Sequence, residues 1–127
     1  MVHRLMVCTT CASTWANGKK IGTSGGEILF QELTGLYQSW GDRSNFKICA
    51  IACMSACSHA CVVTFAAQDK HSYIFGDLPS DAERVSDTAA AILQCAEIYS
   101  DRPNGLMAWK ERPETLRNGV IARIPPL

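Results

Sequence analysis

Two apolar, β-favouring runs in this chain each stop at a segment that carries cysteines. Leu5-Met6-Val7 leads into Cys8-Thr9-Thr10-Cys11. Phe46 to Ile51 leads into a small-residue stretch from Ala52 to Ala60, which holds Cys53 and Cys57 and is followed by Cys61. A strand-end C-x-x-C can put two thiolates on one metal or cluster, and a C-x-x-x-C loop can supply two more from the opposite side. The chain has seven cysteines in 127 residues. An odd count rules out complete internal disulfide pairing. In a reducing compartment dense cysteine spacing reads as metal binding or redox chemistry.

The remaining composition narrows the class. At 127 residues the chain fits one domain, and with 47% hydrophobic residues it can bury a core without disulfide staples. Formal net charge is zero. No basic stripe points to nucleic acid, and no charge run points to a tail. No apolar run approaches the roughly 20 residues needed to span a bilayer, so no membrane association is expected. The apolar patch between Met1 and Val7 is too short for a signal segment, and a cytoplasmic home is the default expectation.

Periodicity predicts the order of elements. After the first strand comes a polar loop from Ser13 to Gly26. Ser24 and Glu27 have capping-box spacing, and Leu29, Leu33, Leu36, Tyr37 and Trp40 recur at helical spacing until Gly41. Phe46 to Ile51 and Val62 to Ala66 read as strands, and Ser72 to Phe75 as a hairpin partner after the Gln68-Asp69-Lys70 turn. Ser80 and Glu83 suggest a second capping box, opening a helix through Val85, Ala89, Ile92, Leu93 and Ala96 that ends near Tyr99. From Pro103 onward the pattern fails, and an irregular tail is expected. A β-α-β unit followed by a hairpin and a helix implies an α/β fold, a central mixed sheet with helices packed on it.

The cysteines admit competing readings. C-x-x-C near a β-α unit is also the thiol–disulfide oxidoreductase pattern, but there the second cysteine lies inside the following helix, and here a long loop separates Cys11 from its helix. Cys49, Cys53, Cys57 and Cys61 repeat every four residues, as one face of a helix would. The flanking strand-like runs favour a loop instead. Cys49 in a strand and Cys95 on a helix are expected in the core. His59 is expected to serve a carbonyl rather than a metal, and His3 and His71 to lie at the surface. Ser55 and Ala56 are small enough for backbone N–H groups to approach a cluster. Ser24-Gly25-Gly26 lacks the P-loop lysine and reads as an ordinary helix cap. Carboxylates are scattered and give no catalytic signal, so a binding or redox protein is expected rather than an enzyme. Arg112, Arg117 and Arg123 are expected to be solvated.

Cys53-Met54-Ser55-Ala56-Cys57, Val62-Val63 and Tyr73-Ile74-Phe75-Gly76 together resemble the thioredoxin-like 2Fe-2S ferredoxins. The resemblance implies a thioredoxin-like fold, with a central mixed four-stranded sheet over residues 1–102 and a C-terminal tail over residues 103–127. It implies a 2Fe-2S cluster on Cys8, Cys11, Cys53 and Cys57, with Cys61 as replacement or fifth thiolate. In that family the second ligand lies further along the first loop, and proline is common where Cys61 stands. Over about residues 5 to 125 the chain also resembles a bacterial family of unknown function, DUF1636, made of small predicted metal-binding proteins. Its marks are Cys8-Thr9-Thr10-Cys11, the C-x-x-x-C-x-x-x-C run, Phe75-Gly76-Asp77-Leu78 and a tail with Trp109, Arg112-Pro113 and Leu116-Arg117. These resemblances imply one-electron transfer or iron–sulfur cluster handling with a redox or metal-handling protein partner. The alternatives are trafficking of zinc, cobalt or iron through the same thiolates, or dithiol chemistry at Cys8 and Cys11. The tail, with Leu106, Trp109 and Ile121, is expected to cover the core or the partner in a homodimer.

Overall fold

A computed structural model describes residues 3–9, 14–17, 19–41, 43–52, 59 and 61–126. Strands β1 (His3–Cys8), β4 (Phe46–Ile51), β5 (Val63–Ala67), β6 (Ser72–Phe75) and β7 (Val120–Ile124) form one sheet in the order β4-β1-β5-β6-β7. β1 and β4 are parallel, and the other neighbours are antiparallel. A right-handed crossover is the usual link between parallel neighbours. Here the link contains the small hairpin β2 (Thr14–Ala16) and β3 (Lys19–Ile21), then α1 (Gly25–Tyr37). The stretch expected to be a plain loop thus holds its own two-stranded ladder. Three-residue strands are too short for alternation to reveal them.

The sheet has one helix-covered face, and strand periodicity selects it. Leu5, Phe65 and Tyr73 stand in register across three strands, as do Val7, Val63 and Phe75, and all six are 0% exposed. Their neighbours Arg4, Met6, Ala66 and Ile74 point the other way and are exposed or half-buried. Leu29 and Leu33 of α1 join Ala89, Ile92, Ala96 and Tyr99 of α2 (Val85–Asp101) over the buried face. Each such side chain contributes about 1.5–3 kcal/mol on burial. Phe65 stacks on Tyr99 with ring centroids 5.7 Å apart and meets Phe75 edge-on at 5.5 Å.

The first capping box is present. The Ser24 hydroxyl accepts from Glu27 N at 3.0 Å, and the Glu27 carboxylate accepts from Ser24 N at 3.2 Å. α1 ends at Tyr37, so Trp40 lies in the turn beyond it. There the Trp40 indole donates to Glu97 of α2 at 2.7 Å. The second expected box does not form. α2 begins after Arg84, which makes no side-chain cap. The chain already turns at 81–84, where the Asp81 carbonyl accepts from Arg84 N and Val85 N, so Ser80 stands too early to cap.

The segment after Pro103 is ordered rather than irregular. It forms a 3-10 turn (Trp109–Glu111), the short helix α3 (Glu114–Arg117) and β7, the fifth strand. Pro125 and Pro126 disguise β7 in the sequence. Proline cannot donate to a ladder, but just outside the end of an edge strand it breaks nothing. Leu116 and Met107 enter the core.

His3 is also buried rather than exposed. As the first residue of β1 it shares the helix-covered face with Leu5 and Val7 and is 6% exposed. Lys70, 5% exposed, donates from Nζ to His3 Nε2 at 2.8 Å, Tyr99 O at 3.3 Å and Ser100 O at 3.1 Å. An ammonium has three protons, so all are used. His3 Nδ1 then carries the proton donated to Asn45 O at 3.1 Å. His71 is half-buried, with Nδ1 3.2 Å from Asn104 O.

Candidate metal centre

The end of the sheet opposite His3 collects the cysteine-bearing connections. The chain leaves β1 at Cys8 and β4 at Ile51, and it enters β5 from Cys61 and Val62. Backbone bonds tie these ends together: Cys8 N donates to Val62 O at 3.1 Å, and Thr9 N to Ile51 O at 2.9 Å. Cys61 makes a reciprocal pair with Leu78, N to O at 3.2 Å and 3.3 Å, which anchors the start of β5 to the segment after β6. Cys8 and Cys61 are each 1% exposed and close enough to interact electrostatically. Of the five sequence-predicted ligands, these two are brought together. Cys11, Cys53 and Cys57 lie outside the described residues, as do Ser55 and Ala56. Their described neighbours Thr9 and Ala52 stand at this same end.

Burial pushes the Cys61 thiol above its ordinary value. A hydrogen bond with the Ser80 side chain opposes that shift, and the neighbouring Cys8 adds to it. A cation binding here would have to displace a tightly held proton, and metal binding at thiols releases protons generally. Ser80, which reads in the sequence as a helix cap, is thus a partner of Cys61. Only its place two residues after Leu78 hinted at this.

Among the described residues the His59 ring meets a carboxylate rather than the expected carbonyl. Its Nδ1 lies 3.2 Å from the Asp77 carboxylate, and its own carbonyl accepts from Asp77 N at 2.6 Å. Both side chains are exposed. Gly76 makes this clamp possible, because a Cβ there would sit 2.8 Å from His59 O and 2.4 Å from the Ile121 side chain. Asp77 itself adopts φ 57°, a left-handed conformation that Asp tolerates better than most residues.

The other two cysteines separate cleanly. Cys95 is 0% exposed, donates to the Met107 thioether at 3.7 Å and is pushed up to about 12 by burial, with Arg112 acting against the shift. It belongs to the core, as expected. Cys49 departs from expectation: it pairs in register with Met6 on the face away from the helices and is only half-buried. Among the described residues no group of three or more Cys, His, Asp or Glu converges on one point. Cys8 and Cys61 fit half of a thiolate donor set and do not complete one. Arg112 and Arg117 are stacked rather than freely solvated, over the Tyr73 and Trp109 rings respectively.

The sequence matches the family described as "Protein of unknown function (DUF1636)" over residues 5–126. The chain belongs to that family. No curated protein matches it. Among solved structures, a thioredoxin-like [2Fe-2S] ferredoxin from Aquifex aeolicus aligns with a TM-score of 0.54 at 18% identity, covering 98% of this chain and 94% of that one. At that identity the likeness establishes the thioredoxin-like α/β fold of this DUF1636 member, here with five strands in the sheet instead of the four expected. No helix among the described residues is long and apolar enough to cross a membrane.

Proposed function

We propose that this chain is a thiolate-ligated iron–sulfur protein of the 2Fe-2S type, working in one-electron transfer or cluster handling with a redox partner. The carrying observation is the pair of buried cysteines, Cys8 and Cys61, brought together where both cysteine-bearing connections meet the sheet. The thioredoxin-like ferredoxin that shares the fold holds a cluster of this type, which supports the reading. Cys8, Cys11, Cys53 and Cys57 are the ligand set we favour, with Cys61 as replacement or fifth thiolate.

A cluster bound there would supply a one-electron couple. The chain's own residues would do the rest. Cys8 and Cys61 present sulfur from two neighbouring strand ends. Val62, Leu78 and the buried β-face below them keep water from one side, which raises the weight of every nearby dipole. Ser80 orients Cys61. We read the protein as a carrier rather than an enzyme. A cytoplasmic setting goes with this reading, because a reducing compartment keeps thiols available as ligands.

Anaerobic purification tests the reading, with a visible spectrum and iron, sulfide and zinc analysis on one sample. Near-equal iron and sulfide with visible charge-transfer bands is expected. A colourless protein with stoichiometric zinc or cobalt would replace it with metal trafficking through the same thiolates. Metal-free protein with reversible thiol titration would replace it with dithiol chemistry at Cys8 and Cys11.

A further inference from the structure

The first turn of α1 lies directly on the peptide that carries Cys8. A Cβ built on Gly26 would come within 2.0 Å of Cys8 O, 3.1 Å of Cys8 C and 3.1 Å of Thr9 Cα. Nothing larger than glycine fits there without moving the helix or the strand end. Beside it, the Ser24 hydroxyl donates to Thr9 O while accepting from Glu27 N. Ser24 is 0% exposed. One hydroxyl therefore does two jobs, capping the helix and gripping the end of β1. The same peptide is held from β4, where Ile51 O accepts from Thr9 N and from Thr9 Oγ1, the latter at 3.3 Å. Val62 O holds the preceding peptide, through Cys8 N, from the β5 side.

We propose that Ser24 and Gly26 are positioning residues for the Cys8 sulfur, clamping the Cys8–Thr9 peptide against the N-terminus of α1 so that a metal centre meets Cys8 in one orientation. This rests on the thiolate-centre reading above. The partial positive charge of a helix N-terminus favours negative charge nearby. A thiolate centre at Cys8 would be held by a strand end docked on that turn, so its retention would depend on how closely the turn is docked. Gly26 sets the approach and Ser24 locks it.

The test uses the full-length chain with Co(II) as probe and chelator competition as the affinity readout. The thiolate-to-cobalt charge-transfer band serves as a second readout that stability alone does not move. Ser24→Ala is expected to weaken Co(II) binding by about tenfold, by analogy with loss of groups that orient metal ligands, and to shift the band. Ser24→Thr keeps the hydroxyl and is expected to restore both. Glu27→Ala breaks the other half of the capping box and leaves the Ser24 hydroxyl its bond to Thr9 O. It is expected to lower the melting temperature as Ser24→Ala does while leaving the cobalt spectrum unchanged. Gly26→Ala is expected to lose more binding than Ser24→Ala. Should it fail to fold, the Ser24 and Glu27 pair still decides. If Ser24→Ala matches wild type in affinity and band, or if Glu27→Ala changes both as much, the positioning role is overturned. If wild type takes up neither Co(II) nor an iron–sulfur cluster, the metal-centre reading itself is overturned, a different result from variants and wild type binding alike.

Discussion

The two ends of the sheet solve the same problem in opposite ways. At the His3 end a buried ammonium is fully satisfied from within: Lys70 gives its three protons to His3 and to two carbonyls in the last turn of α2. Those carbonyls belong to the group that a helix leaves without an internal partner, and a cation near them also meets the favourable end of the helix dipole. The polar network closes on itself and locks the fold. At the cysteine end, polar backbone is satisfied by the strand junctions, but burial holds a thiol protonated at Cys61. The two cysteines described there, Cys8 and Cys61, are the groups to which we assign a soft cation. One end is a structural clamp, and the other is, on our proposal, a place for chemistry. The difference shows why a buried charge is not by itself a sign of function: what matters is whether its partners come from the fold or from outside.

Four experiments sharpen or break this contrast. The largest effect is expected from Lys70→Met, which strands His3 Nε2 and the Ser100 carbonyl and leaves Tyr99 O with Arg102 N alone. A loss of about 2–4 kcal/mol of stability should follow, read by denaturant unfolding, with the cobalt spectrum of the folded protein unchanged. A spectrum that moves with it would mean the two ends are coupled. Cys8→Ser should act in the reverse sense, weakening metal retention on the order of 100-fold while altering metal-free stability little. Full metal loading in that variant would remove Cys8 from the ligand set. Trp40→Phe breaks the bond to Glu97 that ties the turn after α1 to α2, and about 1.5 kcal/mol of destabilisation is expected by thermal or chemical melting.

The smallest effect is a pH dependence from His3. Burial, and then the nearby Lys70 charge, lower its pKa below the ordinary 6.5, against a smaller opposing contribution from Asn45 O. In the unfolded chain the imidazole takes up a proton as pH falls through 6.5, while the folded protein resists. Stability from this group is therefore present above pH 6.5 and declines as pH falls below it, levelling off below the folded pKa. His3→Gln can accept from Lys70 and donate to Asn45 O, and it should flatten the melting temperature between pH 7 and 5. An unchanged slope would show that His3 is not the group responsible.

Much of the frame was readable from local pattern. β4 and β6 run over Phe46–Ile51 and Ser72–Phe75 as periodicity indicates, and Ser24 with Glu27 marks the start of α1. Local chemistry dictates those features: strand alternation, a side-chain cap and turn residues act within a few positions. β7 escaped because its evidence is a partner, β6, and not a pattern of its own. His3 and Lys70 escaped because either residue alone reads as surface, and only their pairing across 67 positions makes burial tolerable. Ser80 was misread because serine three residues before glutamate is a helix signal only if the helix starts there.

By itself the sequence determined that this protein has an α/β core with a mixed sheet, a capped helix after the first strand, and cysteines at the ends of two strands. Those are properties of neighbouring residues and need no knowledge of where the rest of the chain goes. Only the tertiary structure decided which cysteines share an environment. Cys61 joins Cys8 because β5 runs antiparallel beside β1, Cys95 is withdrawn into the core by α2, and Cys49 is turned to the face away from α1 and α2 by the alternation of β4. A thiol's chemistry depends on its dielectric surroundings and its neighbours in space, and strand pairing between distant segments sets both.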